Sequence, residues 1–324
     1  MKVVVADRNL LPYRQTLESG APDGTELSWH ERFDEDALIA DLADADIHVG
    51  GKVTDAMARA GTRLRLVQVV GAGVDNVARA SLPSTTVVAN TFHHEDSIAE
   101  YVLAAAILLR RGFLDQDRAL RQGVWATSVY DQALPQPHAT AGARVGFVGF
   151  GHIGQRSWSL LRTLGCIGAA VTGRGAVDAV AHGLDWAGST DELDRLADES
   201  DIMVVSAPLT TATSGMIGPA QLRALGPQGV LINVGRGPLV QERPLYEALS
   251  CGDLGAAAID VWYDYPGVGG QGAPSSYPFG ALPNVLMTPH SSGITRRTFD
   301  GRSRDVLENI RRIADGVDVK NLVS

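Results

Sequence analysis

Short apolar runs recur along the chain, separated by charged stretches with helical spacing. Before Thr91 the runs are Val3–Ala6, Leu27–His30, Ile47–Gly51, Leu66–Val70 and Val87–Asn90, with helix-like segments such as Asp34–Ala43 between several of them. Runs this short, bounded by turn residues, read as strands. Strands alternating with helices read as βαβ units around a parallel sheet. A second series starts near Ala143 and contains Val145–Val148, Ala169–Thr172, Ile202–Ser206, Val230–Val234, Ala256–Val261 and Val285–Met287. It reads as a second doubly wound α/β sheet.

Between the two series lies SIAEYVLAAAILLRR, from Ser97 to Arg111. Ser97 and Glu100 have the spacing of a capping box, so a helix is expected to start there. It is apolar nearly all round, which predicts burial. A further helix is expected over Leu114–Gln122. The last periodic segment, Arg297 to Gly316, gathers Val306, Ile310 and Ile313 on one face and is expected to pack back on the first sheet. The expected domains are therefore residues 1–95 plus 292–324, and residues 96–291.

Composition narrows the function classes. A chain of 324 residues suits two domains. Its formal charge of −9 argues against nucleic acid as a partner, because phosphate needs a basic face. No run of about 18 apolar residues occurs, so no membrane span is expected. The opening MKVVVADRNLLPYR enters a strand at once and lacks a secretory leader's apolar core. Cys166 and Cys251 stand alone, without C-x-x-C spacing. Neither a zinc site nor a disulfide framework is indicated, and a reducing, cytoplasmic setting is the default.

Chemistry concentrates at the strand ends of the second series. Gly149-Phe-Gly151-His152-Ile153-Gly154 is G-x-G-x-x-G, placed after an apolar strand and opening a helix. That context is what a dinucleotide fingerprint requires: a tight turn, close backbone approach to a pyrophosphate, and a helix N-terminus facing the charge. The next strand would end in an acid to hold the ribose of NAD, but it ends Thr172-Gly173-Arg174. Asp178 and Asp185 lie too far along to serve. An arginine there suits a 2′-phosphate, so NADP is the preferred cofactor, with NAD possible. Later strand ends present Ser206–Thr213 with Pro208 in its turn, Asn233–Gly237, Asp260 and Thr288–Gly293. Glycines on both sides of Arg236 are expected to free its backbone for unusual geometry. An arginine and a histidine, Arg236 and His290, thus sit at strand ends where open α/β sheets bind ligands.

Taken in order, VVGAGVDNV (69–77), SIAEYVLA (97–104), VGFVGFGHIG (145–154), PLTTATSGMI (208–217), LINVGRGPLVQERPLYEAL (231–249) and LPNVLMTPHSSG (282–293) resemble the D-isomer-specific 2-hydroxyacid dehydrogenases. The resemblance implies two Rossmann-like, flavodoxin-like parallel-sheet domains separated by a cleft, and commonly a homodimer. It implies reduction of a small anionic 2-oxo acid, such as glyoxylate or hydroxypyruvate, to its D-2-hydroxy acid. Under it Arg236 looks like the substrate-binding arginine and His290 like the acid–base residue. Asp260 matches the residue that orients the nicotinamide amide. Thr213, Asn233, Val234, Gly235 and Gly293 match cofactor-lining positions. Val70, Gly71, Ala72 and Gly73 resemble the loop whose N–H groups bind the substrate carboxylate, and His94 lines the pocket.

One position departs from the pattern. The family has a Glu five residues after the Asp260 position, where it supports the catalytic histidine. This chain reads Ile259-Asp-Val-Trp-Tyr-Asp-Tyr-Pro266, with Tyr265 in that place and Asp264 one residue early. Three readings stay open: Asp264 reaches His290 through a bulge, the Tyr265 hydroxyl orients the ring, or the partner is lost. The segment Pro266–Pro283 is longer than the family's and glycine-rich, and reads equally as a flap or a surface loop. His93-His94-Glu95-Asp96 offers metal-ligand types, but consecutively and without a second cluster, so no metal is expected. Beside the enzyme reading stand two others: a cofactor-sensing binding protein that kept the fold and lost efficient turnover, and a dehydrogenase for a bulkier or non-carboxylate anion.

Overall fold

A computed structural model of the protein describes residues 1–267 and 269–323. In chain order the first elements are β1 (Lys2–Val5), α1 (Arg14–Gly20), β2 (Glu26–Trp29), α2 (Glu35–Leu42), β3 (Ile47–Val49), α3 (Asp55–Ala60), β4 (Leu66–Gln68) and β5 (Val87–Ala89). They are followed by α4 (Glu95–Arg110), α5 (Phe113–Arg121), β6 (Arg144–Val148), α6 (His152–Leu161), β7 (Ile167–Thr172), α7 (Ala179–His182) and β8 (Trp186–Ser189). Then come α8 (Leu193–Asp198), β9 (Ile202–Val205), α9 (Pro219–Leu225), β10 (Val230–Asn233), α10 (Glu242–Cys251), β11 (Ala256–Ile259), β12 (Val285–Met287) and α11 (Arg296–Asp315). Two compact units result, one from Met1–His93 with the chain from Thr295 onward, the other from His94–Ile294. Patterning had placed the two crossings after residues 95 and 291.

In the first unit five parallel strands lie in the order β2-β1-β3-β4-β5. Successive strand residues face opposite ways, so one strand feeds two cores. Val3 and Val5 pack with Phe299, Val306, Ile310 and Ile313 of α11. Val4 joins Leu38 and Leu42 of α2 and Met57 of α3 on the other face. The C-terminal helix therefore belongs to this unit, where its apolar stripe finds a sheet.

The second unit is a seven-stranded parallel sheet in the order β12-β11-β10-β9-β6-β7-β8. Val145, Phe147, Val204 and Ile232 pack beneath Val102 of α4 and Trp158 and Leu161 of α6. Met203, Val205, Leu231 and Ile259 pack on the other face against Leu196, Leu222 and Leu245 of α8, α9 and α10. Strand order reverses between β6 and β9, and a crevice at such a reversal opens at the C-terminal strand ends.

Two features differ from the sequence expectation. Strand β8 was not anticipated, because Trp-Ala-Gly-Ser is too short and too weakly apolar to stand out. Helix α4 starts at Glu95, with His94 as N-cap and no side-chain cap bond there, so Ser97 lies inside the helix rather than capping it. The Ile98 N–H already bonds the His94 carbonyl at 2.9 Å. Glu95 and Asp96 put negative charge in the first turn, where the helix dipole favours it.

Candidate active site

The glycine-rich turn has the shape a dinucleotide phosphate needs. Gly149 adopts φ +88°, and a Cβ there would stand 2.6 Å from the Ala207 nitrogen. A Cβ on Gly154 would meet the Gly149 carbonyl oxygen at 2.7 Å, so only glycine lets α6 press this close to β6. Gly151, by contrast, opens onto empty space. It begins α6 without a side-chain cap, so the N–H groups of the first turn are not taken up by a capping side chain. His152 is exposed, and Ile153 is half-buried against the core beneath α6. The residues present therefore fit a pyrophosphate.

At the end of β7, Thr172 is half-buried while Gly173 and Arg174 are exposed. The turn closes when the Gly175 N–H bonds the Thr172 carbonyl at 3.1 Å. Thr172 pairs with Ser189 across the sheet, and the Ser189 hydroxyl accepts from the Asp191 N–H at 3.1 Å. Ser189 escaped the sequence reading because β8 did. Asp178 caps α7, and Asp185 pairs with Arg144 at the opposite end of the strands.

The turn after β9 is tied by its own hydroxyls. Thr213 Oγ1 donates to the Pro208 carbonyl at 2.8 Å and accepts from the Thr210 N–H at 2.8 Å. The turn after β10 is organised by buried Asn233, whose Nδ2 donates to the Arg236 carbonyl at 3.0 Å and whose Oδ1 accepts from the Gly235 N–H at 3.2 Å. Val234 is buried and bonded to the Val205 carbonyl. Arg236 itself is ordinary extended backbone, φ −145° and ψ 145°. The expected unusual geometry is therefore absent, and its flanking glycines serve close approach instead. A Cβ on Gly237 would lie 2.3 Å from the Trp262 carbonyl oxygen, and one on Gly235 would lie 3.0 Å from the Ala207 carbonyl oxygen. The missing Cβ atoms seat the Arg236 turn against the chain just after β11 on the Gly237 side and just after β9 on the Gly235 side.

His290 sits on a turn that the end of β11 holds from several sides. Its φ of 55° lies in the left-handed region, which costs a residue with a Cβ roughly 1–2 kcal/mol. Asp260, buried, offsets that cost. Its Oδ1 accepts from Thr288 Oγ1 at 2.6 Å and the Ser291 N–H at 2.9 Å, and its Oδ2 accepts from the Ser292 N–H at 3.1 Å and from the Ser292 hydroxyl. Trp262 Nε1 donates to the Thr288 carbonyl at 2.8 Å. The Thr288 hydroxyl also meets Tyr101 Oη from α4 at 3.1 Å. Trp262, Thr288 and Tyr101 were not singled out from the sequence. Nothing in it ties an indole or a helix tyrosine to one turn.

Tyr265 Oη lies 3.0 Å from His290 Nδ1 and accepts the Trp262 N–H at 3.3 Å. Asp264, exposed like Tyr265, has its N–H bonded to the Pro274 carbonyl at 3.0 Å. Of the two side chains, it is the Tyr265 hydroxyl that lies within hydrogen-bond distance of the His290 ring. Displacement of water by surrounding protein lowers the His290 pKa, the Asp260 carboxylate opposes this, and the Arg236 guanidinium adds to it. Burial raises the Tyr265 pKa, so the phenol stays protonated and neutral near neutral pH.

His94 is buried at the head of α4, and a Cβ on Gly293 would come within 3.2 Å of its own Cβ. The other members of the His-His-Glu-Asp run diverge: His93 bonds Asp305 at 2.7 Å and Asp96 bonds Arg156 at 2.5 Å. In the first unit, Val70, Gly71, Ala72 and Gly73 follow β4 at its C-terminal end, with Val70 buried and the next three half-buried. The glycine-rich segment after Tyr265 is anchored at its far end. Glu242 Oε1 accepts from the Ser275 hydroxyl at 2.7 Å and the Ser276 N–H at 2.9 Å, and Tyr277 stacks on Tyr246. The flap reading also involves Val268, which lies outside the described residues.

A family profile described as the D-isomer specific 2-hydroxyacid dehydrogenase, NAD binding domain, matches residues 103–292. The chain belongs to that family. Among curated proteins this dehydrogenase-family chain is similar to a D-3-phosphoglycerate dehydrogenase of Methanocaldococcus jannaschii, 27% identical over 296 residues, which are 89% of this chain and 53% of that protein. It is also similar to glyoxylate/hydroxypyruvate reductase B of Erwinia tasmaniensis, 28% identical over 288 residues, covering 87% of this chain and 85% of the relative. The chain spans little more than half the length of the phosphoglycerate dehydrogenases it matches. Among solved structures, an NADPH-dependent glyoxylate/hydroxypyruvate reductase from Sinorhizobium meliloti, in complex with NADP and malonate, superimposes with a TM-score of 0.80 at 27% identity. That match covers 100% of this chain and 96% of the other.

Proposed function

We propose that the protein interconverts a small 2-oxo acid and its D-2-hydroxy acid, with NADP as the preferred cofactor. The observation that carries this reading is the placement of Arg236 and His290 on the turns after β10 and β12, the two neighbours of β11 in the sheet, at the strand ends where open α/β sheets take ligands. Arg236 offers a planar fork to the substrate carboxylate and positive charge to its carbonyl oxygen. His290 gives a proton to the alkoxide that forms in reduction and takes one back in oxidation. The nicotinamide, when bound, supplies the hydride in one direction and accepts it in the other. Gly149, Gly151 and Gly154 would hold its pyrophosphate, with Pro208, Thr213 and Asn233–Gly235 lining the same strand ends. Asp260 fixes the His290 turn beside them.

NADP is favoured because β7 ends without a carboxylate and is followed closely by the exposed Arg174. The NADPH-dependent enzyme from S. meliloti supports the same preference. Glyoxylate and hydroxypyruvate head the substrate set, in keeping with the named relatives. A second copy of the chain is the proposed partner, and the free thiols Cys166 and Cys251 suit the cytoplasm. Oxidation of NADPH and NADH by the purified protein, over a panel of 2-oxo acids, tests the proposal. Turnover with a two- or three-carbon oxo acid and higher kcat/KM for NADPH is expected. Cofactor binding without turnover would instead favour a sensing role, and equal or better use of NADH would reject the reading of Arg174.

A further inference from the structure

The carboxylate partner that the family resemblance called for is replaced here by a neutral hydroxyl, and the geometry gives that hydroxyl a definite job. We propose that Tyr265 is the positioning residue for His290, holding the imidazole through Nδ1 while leaving its charged form without a carboxylate partner. This rests on the hydride-transfer reading above and deepens it.

The phenol oxygen sits between two groups. It accepts the Trp262 N–H at 3.3 Å and lies 3.0 Å from His290 Nδ1. Trp262 is itself fixed, with its indole on the Thr288 carbonyl and its ring edge-on to Phe279 at 5.9 Å. Phe279 is almost wholly buried. The oxygen is therefore anchored to the same wall that carries the His290 turn. A phenol both donates and accepts, whereas a carboxylate only accepts. Tyr265 can accept Nδ1–H from the imidazolium, or from the neutral tautomer that leaves Nε2 open to take a proton. It can equally donate to Nδ1 in the other neutral tautomer. Ring position is thus kept in every protonation state, but no negative charge is supplied to the imidazolium.

The charged and titratable groups facing this turn are few. Asp260 at the end of β11 favours the imidazolium, and Arg236 after β10 disfavours it. Tyr101 from α4 bonds Thr288 rather than the ring, and His94 packs beside Gly293. Asp260 divides its oxygens among Thr288, Ser291 and Ser292, so its charge is shared with the turn. The consequence follows for catalysis. Reduction, which needs the imidazolium, falls away on the basic side at lower pH than with a carboxylate at position 265. Oxidation, which needs the neutral ring, keeps its rate to correspondingly lower pH.

The test separates this claim from the activity itself. The imidazole NMR signals of His290, assigned by comparison with His290→Gln, are titrated in the wild type, Tyr265→Phe and Tyr265→Glu. The expected wild-type midpoint lies below that of free histidine, and Tyr265→Glu raises it by about one pH unit or more. The basic limb of kcat/KM for reduction moves upward in parallel. Tyr265→Phe is expected to lower kcat about tenfold with KM and NADPH binding unchanged, because a lost hydrogen bond loosens the ring without touching the substrate. A midpoint unmoved by Tyr265→Glu overturns the proposal, and so do His290 ring signals that are the same in Tyr265→Phe as in the wild type. Both results are read from spectra, so an inactive wild type would reject the hydride-transfer reading and leave this comparison to be decided separately.

Discussion

At the scale of single residues, the site is a set of short reaches made possible by what is missing. Gly237 has no Cβ, so the Arg236 turn rests on the Trp262 carbonyl. Position 265 has no carboxylate, so a phenol takes up His290 Nδ1. Asp260 is the counterpart that the site cannot do without, since its two oxygens hold a left-handed His290 in place. In Asp260→Asn one acceptor becomes a donor facing the Ser292 N–H, and the turn is expected to relax. A fall in kcat of about 10- to 100-fold is the expected outcome of steady-state kinetics. Unchanged kcat would mean that the turn holds itself. The sequence made Arg236, Asp260 and His290 legible because each ends an apolar run. It left Asp264 and Tyr265 undivided, because one residue of strand-end bulge decides which side chain turns toward the ring. Likewise, glycines that permit close approach look the same in sequence as glycines that permit positive φ.

At the scale of elements, apolar runs located eleven of the twelve strands, since buried parallel strands are nearly continuous in Val, Ile, Leu and Ala. Strand β8, at a sheet edge and containing Gly188, lacked that signal. The start of α4 was misjudged because a capping-box spacing at Ser97 competed with two acids further upstream that also suit a first turn. Strand β3 carries a feature with a measurable cost. His48 is fully buried, and neither ring nitrogen has a hydrogen-bond partner among the described residues. Burial, with a smaller push from nearby His30, lowers its pKa to about 4 from an ordinary 6.5. The unfolded chain therefore binds a proton at higher pH than the folded one. Stability is full above about pH 6.5 and is lost as pH falls toward 4, by roughly 3 kcal/mol in all. Chemical denaturation of the wild type and His48→Leu across that window is expected to show a shallower acid loss in the variant. Identical pH dependence would mean that His48 is not the group that titrates.

At the scale of the whole molecule, the second unit presents apolar side chains that its own core does not cover. Trp125, Val129 and Tyr130 are 61%, 79% and 70% exposed in the segment after α5, with Leu120 and Val124 alongside. Exposed apolar side chains of this kind are what an interaction surface offers, and a second copy is the occupant proposed for them. Sedimentation of the wild type is expected to show a dimer that Trp125→Glu converts to monomer. A monomeric wild type, or a variant that stays dimeric, would contradict the assignment. The proposed chemistry rests on Arg236, which both anchors a carboxylate and polarises the carbonyl beside it. Steady-state kinetics of Arg236→Ala against the wild type, with NADPH and the best 2-oxo acid of the panel, tests this most directly. kcat/KM is expected to fall about a thousandfold, through a raised KM and a lowered kcat together, with NADPH binding unchanged. An Arg236→Ala enzyme that reduces the same oxo acid at the wild-type kcat/KM would contradict it.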